Sequence, residues 1–245
     1  MNKNINVLSL FDGIATGLVA LKELGYVPNY YASEIEDNAI SVAMKNHPEI
    51  MQMGDVTKLT FENDNLYSRE YVEYLERTIS FQKRMVGQFD LLIGGSPCNQ
   101  LSAQHHTREG LDGKDSGLFY DYLRLLKETK PKYFILENVK MIKKYQDEIS
   151  YLLGVQPIKI NSELVSAQKR DRLYWTNIPI PENKHIVLQD IIEDGFVNKD
   201  KSNCVTEAMS RQIATPGGVN EQFGKIYKKL QKPMKIYEQN NFNKN

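Results

Sequence analysis

The first sixty residues repeat one pattern: a short apolar run, a turn residue or an acid, and then a segment of helical periodicity. The runs cover residues 4–10, 28–33 and 50–53, and they end at Phe11-Asp-Gly, Glu34 and Gly54-Asp55. Strands that alternate with helices are typical of a parallel sheet, because a parallel pair needs a long crossover connection. The pattern predicts an α/β, Rossmann-like fold with a mostly parallel central sheet and helices on both faces.

The helices and later strands follow from spacing and from breakers. Ile14, Leu18, Leu21 and Leu24 recur on one helix face up to Gly25, and a second helix is predicted from about residue 37 to residue 46. Further helices are predicted over residues 66–85, from residue 118 to before Pro131, and up to about residue 153. Further strands are predicted over residues 89–93, 133–136, 158–160 and 172–176.

A rigid turn carrying a thiol follows the central strand. The apolar run 89–93 predicts a strand buried on both faces, and glycines beginning at Gly94 end it. Pro97 fixes its own φ and pushes Ser96 towards an extended conformation. Cys98 is therefore expected just beyond the carboxyl end of a central strand, where open α/β sheets bind ligands. It is a candidate nucleophile, although a buried structural cysteine also fits this local sequence.

Three successive strand ends carry residues suited to a nucleoside. The glycine turn over residues 11–17 can bring backbone amides close to an anionic group, although it lacks the full dinucleotide-binding spacing. Glu34 lies about 20 residues further on, where an acid can accept hydrogen bonds from ribose hydroxyls. Asp55 could accept from the adenine amino group. Either acid alone could instead cap a helix, but together they predict binding of a nucleoside cofactor.

The cysteines and the hydropathy of the chain indicate its cellular compartment, and the distribution of charge indicates its partners. Two cysteines, Cys98 and Cys204, in 245 residues do not form a disulfide framework and suit a reducing compartment. No signal sequence or apolar stretch of membrane-spanning length is evident, so we expect a soluble, intracellular protein. The net charge is zero, but residues 201–245 hold eight bases and three acids. This segment could contact phosphates or form a solvated tail.

Six motifs stand in a fixed order between residues 6 and 179. They are Phe11-Asp-Gly-Ile-Ala-Thr-Gly, Ser33-Glu, Gly54-Asp-Val, Gly94-Gly-Ser-Pro-Cys-Asn, Glu137-Asn-Val and Arg170-Asp-Arg. In order and content they resemble the DNA (cytosine-5) methyltransferases, and most closely the branch that includes the animal de novo DNA methyltransferases. The resemblance implies an S-adenosylmethionine-dependent methyltransferase fold and transfer of a methyl group to carbon 5 of cytosine.

The resemblance also implies a catalytic set. The thiolate of Cys98 would add to carbon 6 of a flipped cytosine and so make carbon 5 nucleophilic. Glu137 would hold ring nitrogen 3 and the exocyclic amine, and Asn138 would pin the turn. Arg172, with Arg170, would hold the base carbonyl or a neighbouring phosphate. Two arginines two residues apart on one strand would share a face.

S-adenosylmethionine is the implied cofactor, and no metal is implied. Phe11 would stack near the adenosine, the glycine turn would approach the methionine part, and the acids at the strand ends would hold ribose and adenine. The polar segment 100–116 is the expected lid. The expected cofactor-binding residues are Phe11, Asp12, Gly13, Ile14, Thr16, Gly17, Glu34, Ile35, Asp55, Val56, Gly94 and Pro97.

The C-terminal part departs from the family pattern. We expect a catalytic and cofactor-binding domain over residues 1–180 and a short, incomplete target-recognition segment over residues 181–245. The family's closing motif is matched only faintly at residues 222–224, which we interpret as chance. Two hypotheses follow: a compact methyltransferase with minimal sequence readout, or a truncated chain that is weakly active or inactive without a partner subunit.

Double-stranded DNA is the expected partner, in the cytoplasm or at the nucleoid, and no membrane is expected. A partner subunit and a restriction endonuclease are further candidates. An RNA cytosine-5 methyltransferase is the close alternative, but its cysteine motif usually runs Pro-Pro-Cys-Gln, unlike residues 96–99 here. An alternative of another class is a cofactor-binding or DNA-binding subunit without catalytic activity. The presence of Cys98, Glu137 and Arg172 argues against it, and the missing closing motif argues for it. A nicotinamide oxidoreductase gains no support from these residues.

Overall fold

A computed structural model describes residues 3–68, 86–97, 117–192, 197 and 199–203 of the chain. The chain divides into two compact units. The first unit comprises residues 1–160 and 171–180, and the second unit comprises residues 161–170 and 181–245. The functional division expected at residue 180 stays a prediction.

Strands and helices alternate over residues 4–52, as the sequence pattern predicts, and less regularly beyond them. In order they are β1 (Asn4–Leu10), α1 (Thr16–Glu23), β2 (Val27–Ser33), α2 (Asp37–Asn46), β3 (Met51–Gln52), β4 (Leu59–Glu62), β5 (Asn65–Ser68), β6 (Leu91–Gly94), α3 (Leu118–Thr129), β7 (Tyr133–Asn138), α4 (Lys143–Leu153), β8 (Ile158–Asn161), β9 (Gln168–Lys169), β10 (Asp171–Thr176) and β11 (Ser202–Asn203). Within the described ranges, none of the helices has the length and apolar character needed to cross a bilayer.

Seven of the described strands form one sheet in the order β3-β2-β1-β6-β7-β10-β8. The pairs from β3 to β7 are parallel, and β10 runs antiparallel to β7. The predicted α/β fold with a mostly parallel sheet is therefore confirmed. The strand order reverses between β1 and β6, where Leu10 pairs with Gly94. Such a reversal opens a crevice at the carboxyl ends of the two strands, which is where ligands bind in open α/β sheets.

Side chains that alternate along the strands build an apolar core on each face of the sheet. Leu8 and Leu92 pack on one face with residues of α3 and α4. Val7 and Leu91 pack on the opposite face with residues of α1 and α2. Burial of each such side chain contributes about 1.5–3 kcal/mol. The prediction of helices on both faces is confirmed.

Helix α1 begins later than the apolar spacing predicts. Leu18 and Leu21 are buried, as expected for the inward face, but Ile14 is 52% exposed and Leu24 is 63% exposed. The reason is the backbone at Ala15, whose φ of +65° delays the helix to Thr16. Ile14 therefore belongs to the turn before the helix, and Leu24 is its C-cap residue.

A β-hairpin stands where a helix over residues 66–85 was predicted to begin. Strands β4 and β5 pair antiparallel, and Leu66 is buried in the core. Asn63 and Asp64 join them with φ values of +50° and +60°, as two-residue hairpin turns require. The prediction is wrong for residues 66–68, and the rest of that segment, residues 69–85, lies outside the described residues.

The described part of the second unit is mostly irregular. Its strands β9 and β11 pair in parallel. The ammonium of Lys201 donates hydrogen bonds to the carbonyl of Glu163 at 2.6 Å, to that of Ser166 at 3.0 Å, and to that of Ile186. One side chain thus ties together three segments of this unit.

Candidate cofactor and catalytic site

The turn between β1 and α1 has a left-handed backbone at three positions. The φ angles are +56° at Phe11, +62° at Gly13 and +65° at Ala15. Left-handed backbone is unfavourable for a bulky aromatic residue such as Phe11, and it tends to persist where the surroundings fix it. Here the amide of Asp12 donates to the carbonyl of Ser33 at 3.2 Å, so the end of β2 holds the turn.

A buried carboxylate lies in a hydrogen-bond network with two hydroxyls from β1 and β2. Oδ1 of Asp12 accepts from the hydroxyls of Ser9 and Tyr30, each at 2.6 Å. Oδ2 is also buried and has no hydrogen-bond partner within the described ranges. Burial raises the pKa of Asp12 above its ordinary value, and the nearby charge of Glu34 adds to the effect. The described contacts of Asp12 are structural, and its expected role in cofactor binding stays a prediction.

The absence of a side chain at Gly17 is required by Tyr30. A Cβ at position 17 would lie 2.8 Å from the Tyr30 hydroxyl, closer than real Cβ contacts. Gly17 therefore allows α1 to pack closely on β2 and lets the Tyr30 hydroxyl reach Asp12. The expected role of Gly17 at the methionine part of the cofactor stays a prediction, and its contact with Tyr30 has no local sequence signal because only the fold brings the two residues together.

The carboxylate of Glu34 joins the end of β2 to the glycine turn. Its Oε2 accepts from the amide of Gly13 at 2.7 Å, and its Oε1 accepts from the amides of Ile35 and Glu36 at 2.8 and 3.0 Å. Glu34 is partly exposed, and each carboxylate oxygen has further acceptor capacity. Ile35 beside it is 65% exposed, so this edge of the sheet combines an acceptor with open apolar surface.

Asp55 caps a short 3₁₀ helix at the end of β3. Its Oδ1 accepts from the amide and the hydroxyl of Thr57, both at 2.9 Å. The helix covers Val56–Lys58, and Val56 is buried. The hydroxyl of Ser33 donates to the carbonyl of Gly54 at 2.7 Å and so links the ends of β2 and β3. The structure thus shows Asp55 in the capping role that was the alternative to cofactor binding. Because the cap uses Oδ1, Oδ2 can accept a hydrogen bond from another donor.

Two adjacent glycines at the end of β6 make room for two different side chains. A Cβ at Gly94 would lie 2.7 and 2.9 Å from ring carbons of Tyr122, which is fully buried. A Cβ at Gly95 would lie 3.2 Å from Oε2 of Glu137. Asn138 Nδ2 lies 3.4 Å from both the carbonyl oxygen and the hydroxyl oxygen of Ser96. The segment leading to Cys98 is thus packed against Glu137 and Asn138, and Cys98 itself lies outside the described residues.

An ion pair joins two of the predicted catalytic residues. Nε of Arg172 lies 2.7 Å from Oε1 of Glu137, with the two side chains 20% and 34% exposed. Because β10 runs antiparallel to β7, the beginning of β10 lies beside the end of β7, where Tyr174 pairs with Glu137. Opposite charges at hydrogen-bond distance in a partly desolvated site give a strong contact.

Arg170 does not lie on the strand that carries Arg172. Strand β10 begins at Asp171, so the prediction that both arginines share one strand face is wrong. The amide of Arg170 donates to Oδ1 of Asn161 at 3.0 Å, and its carbonyl accepts from the amide of Ser162 at 3.1 Å, all within the second unit. Its expected role in DNA binding stays a prediction.

The structure therefore brings together two groups of the expected residues at the carboxyl edge of the sheet. One is the glycine turn with Glu34, and the other is Glu137 with Arg172 beside Gly95. The expected lid over residues 100–116 lies outside the described residues. These features define a Rossmann-like α/β protein, in which ligands are expected to bind at the point where the strand order reverses.

Comparison with solved structures supports this fold. The chain resembles a DNA modification methyltransferase encoded within a prophage of E. coli, with a TM-score of 0.51 and 21% sequence identity. The match covers 80% of this chain and 52% of that protein.

Sequence comparison identifies the family. The chain matches the C-5 cytosine-specific DNA methylase family over residues 5–244 and belongs to that family. It is 30% identical over 190 residues to the orphan methyltransferase M.SPRI of Bacillus phage SPR, covering 71% of this chain and 38% of the phage protein. It is 40% identical over 136 residues to DNA (cytosine-5)-methyltransferase DRM1 of Arabidopsis thaliana, covering 52% of this chain and 19% of the plant protein. The chain thus spans well under half the length of these relatives.

Proposed function

We propose that this chain is a DNA cytosine-5 methyltransferase that uses S-adenosylmethionine and forms a covalent adduct through Cys98. The observation that carries the proposal is the ion pair between Glu137 and Arg172, which lies beside the segment leading into the cysteine. A Cβ at Gly95 would lie 3.2 Å from Oε2 of Glu137, which is tighter than most Cβ contacts. Here Gly95 gives the Glu137 carboxylate space at the carboxyl edge, where a substrate base would enter.

The residues at the neighbouring strand ends fit S-adenosylmethionine. Glu34 has acceptor capacity for ribose hydroxyls, and Oδ2 of Asp55 is suited to an amino group such as that of adenine. The exposed side chains of Ile14 and Ile35 offer apolar surface to a flat ring. When bound, S-adenosylmethionine supplies an electrophilic methyl group on its sulfonium.

The chemistry follows from what these side chains can donate and hold. The thiolate of Cys98 would add to carbon 6 of cytosine, and the electron pair of the 5,6 double bond would make carbon 5 the nucleophile. Carbon 5 would take the methyl group as the methyl–sulfur bond breaks and S-adenosylhomocysteine leaves. Glu137 would share a proton with ring nitrogen 3 and accept a hydrogen bond from the amine, while Arg172 keeps its carboxyl group in place. A base then removes the proton from carbon 5, the carbon–sulfur bond breaks, and the thiolate is released.

Double-stranded DNA is the proposed substrate, and the target cytosine must leave the helix because carbon 6 is shielded inside a stacked duplex. Target recognition is assigned to residues 181–245. By analogy with the phage protein described as an orphan methyltransferase, we favour a chain that acts without a restriction endonuclease. A specific likeness to the animal de novo branch stays a prediction, because the relatives described above are phage and plant proteins.

A cofactor-binding subunit that needs a partner is the second candidate. An RNA cytosine-5 methyltransferase would use the same residues on a different nucleic acid.

Trapping on 5-fluorocytosine tests the proposal, because fluorine at carbon 5 cannot be removed as a proton and the adduct persists. With S-adenosylmethionine and a duplex rich in 5-fluorocytosine, the wild-type chain should give a denaturation-resistant band. Cys98→Ser should abolish the band, whereas the matched variant Cys204→Ser should retain it. A band with single-stranded RNA but not with duplex DNA would support the RNA enzyme. No band on any nucleic acid would support the subunit.

A further inference from the structure

Arg124 on α3 binds the segment that follows Asp55. Its Nη1 donates to the carbonyl of Leu59 at 2.7 Å, and its Nη2 donates to the carbonyl of Val56 at 3.2 Å. These carbonyls belong to the first residue of the 3₁₀ helix Val56–Lys58 and to its C-cap residue. One guanidinium therefore spans the whole short helix and fixes it to α3.

Two carboxylates on the same helix hold the Arg124 side chain in this direction. Asp121 Oδ1 lies 3.0 Å from Nη2, and Glu128 Oε1 lies 3.1 Å from Nη1. Burial alone would lower the pKa of Arg124, but its hydrogen bonds to these carboxylates outweigh burial and raise the pKa. The planar fork of a guanidinium can satisfy two carbonyls and two carboxylates at once, which a lysine ammonium cannot do.

The position of this 3₁₀ helix decides where the Asp55 carboxylate points. Asp55 is the N-cap residue, and its Oδ1 is committed to Thr57 inside the helix. The carbonyl of Asp55 also accepts from the amide of Lys58 at 3.0 Å. Any displacement of the helix therefore moves the carboxylate with it, and a misplacement well under 1 Å is enough to weaken a directed hydrogen bond.

We infer that Arg124 is a positioning residue for the adenine end of the cofactor site, acting through the Val56–Lys58 helix on the direction of the Asp55 carboxylate. The inference rests on the proposed function, because it takes Asp55 as the acceptor of the adenine amino group. It distinguishes Arg124 from an ordinary helix-surface ion pair such as Lys143–Asp147 on α4, whose side chains are 75% and 55% exposed.

The test compares two ligands that differ at one group of the purine. S-adenosylhomocysteine presents an amino group to Asp55, whereas S-inosylhomocysteine presents a carbonyl oxygen. The dissociation constants of both are measured by calorimetry for the wild-type chain and for Arg124→Met, Arg124→Lys, Asp55→Asn and the control Lys143→Met. Thermal unfolding of each variant checks that it is folded.

The wild-type chain should prefer the adenine compound by at least about tenfold, the worth of one directed hydrogen bond. Asp55→Asn should abolish the preference, and Lys143→Met should leave it unchanged. Arg124→Met should weaken binding of the adenine compound about tenfold and bring the ratio close to one. Arg124→Lys should give a ratio of dissociation constants between those of the wild-type chain and Arg124→Met. It replaces Arg124→Met in the test if that variant does not fold.

The outcomes distinguish the positioning role of Arg124 from the assignment of Asp55 as the adenine acceptor. Equal weakening of both ligands by a folded Arg124 variant, with the ratio unchanged, would mean that Arg124 only anchors the hairpin β4–β5 and would overturn the inference alone. A wild-type chain that does not distinguish the ligands, or an Asp55→Asn variant that still does, would overturn the assignment of Asp55 and the inference with it.

Discussion

Nε of Arg172 lies 2.7 Å from Oε1 of Glu137, and the two residues come from neighbouring strands that run in opposite directions. The ion pair depends on the antiparallel direction of β10, because the beginning of β10 then lies at the carboxyl edge of the sheet, where β6 and β7 end. A parallel strand in this place would put its own carboxyl end there and carry Arg172 to the far edge of the sheet. The direction of β10 thus places the guanidinium of Arg172 beside Glu137.

Loss of either partner of this pair should reduce catalysis much more than stability. We expect Glu137→Gln and Arg172→Met to lower kcat about 100- to 1,000-fold. The first would weaken the hydrogen bonds proposed between Glu137 and the base, and the second would release the carboxyl group that makes them. The cofactor dissociation constant should change little. Methyl transfer from labelled S-adenosylmethionine to duplex DNA provides the measurement.

A neighbouring ion pair supplies the control for that experiment. Lys159 lies 3.1 Å from Asp171, one residue before Arg172, and both side chains are well exposed. Lys159→Met should leave kcat within about twofold and stability within about 0.5 kcal/mol. A comparable loss of kcat in Lys159→Met would mean that surface charge near the site, rather than the Glu137 contact, sustains activity.

The two glycines at the end of β6 should respond differently to alanine. Gly94→Ala would press against the fully buried ring of Tyr122, which has no room to move, and should lower the free energy of unfolding by about 1–3 kcal/mol. The methyl group of Gly95→Ala would lie 3.2 Å from Oε2 at the end of the Glu137 side chain and 3.7 Å, an ordinary contact distance, from the carbonyl oxygen of Glu137, so it should barely affect stability. It should instead displace the carboxylate and lower kcat about tenfold.

Urea unfolding and methyl-transfer kinetics on the two alanine variants check this contrast. Similar losses of stability in both variants would contradict the assignment of Gly95 to the space of Glu137.

The layout of the sheet was predictable because it depends on local patterns. Short apolar runs marked the strands, and breakers such as Gly25 and Pro131 marked the ends of helices. The acid at the end of β2 was predictable for the same reason, since Glu34 directly follows an apolar run. The hairpin β4–β5 was missed because its signal is only the turn pair Asn63-Asp64, within a charged region that favours a helix.

Contacts between distant parts of the chain could not be predicted from local patterns. The network of Asp12 with Ser9 and Tyr30 depends on how α1 packs on β2. The two contacts of Arg124 with the carbonyls of Val56 and Leu59 join residues more than sixty positions apart, and a helix-surface arginine carries no sign of them in the sequence. Arg170 was placed on a strand because a strand boundary is uncertain by a residue or two, and the boundary falls just after it.

The contact between Gly17 and Tyr30 predicts non-additive effects on stability. Gly17→Ala brings a methyl group within 2.8 Å of the Tyr30 hydroxyl and should cost about 1–3 kcal/mol despite the better helix propensity of alanine. Tyr30→Phe should cost about 1–2 kcal/mol through the lost hydrogen bond to Asp12. The double variant should lose less than the sum by at least about 1 kcal/mol, since phenylalanine leaves room for the methyl group.

Ser9→Ala is the matched control for this double-mutant cycle. It also removes a hydroxyl from Oδ1 of Asp12, yet it makes no space at position 17. Urea unfolding should therefore show that Gly17→Ala and Ser9→Ala combine additively. Additive behaviour of Gly17→Ala with Tyr30→Phe would show instead that α1 shifts as a unit to accommodate the methyl group.

The buried carboxyl group of Asp12 predicts a pH-dependent stability of unusual sign. Burial raises the pKa of Asp12 in the folded chain above its ordinary value of 3.8, so the folded chain holds this proton more tightly than the unfolded chain does. Its contribution to stability is therefore full below about pH 4 and is lost as the pH rises through the raised pKa. Asp12→Asn removes the titration and should flatten this part of the profile.

The measurement is the difference in free energy of unfolding between the wild-type chain and Asp12→Asn, followed from about pH 4 to pH 7. This difference should fall as the pH rises. Glu49→Gln provides a control of opposite sign, because the hydrogen bond from Lys22 lowers the pKa of Glu49 in the folded chain. The stabilising contribution of Glu49 is present above its ordinary pKa and is lost as the pH falls through its lowered pKa in the folded chain. The difference in free energy of unfolding between the wild-type chain and Glu49→Gln should therefore rise with pH. A flat difference for Asp12→Asn would mean that Asp12 titrates normally in the folded chain, and that its buried Oδ2 has a partner that offsets the burial.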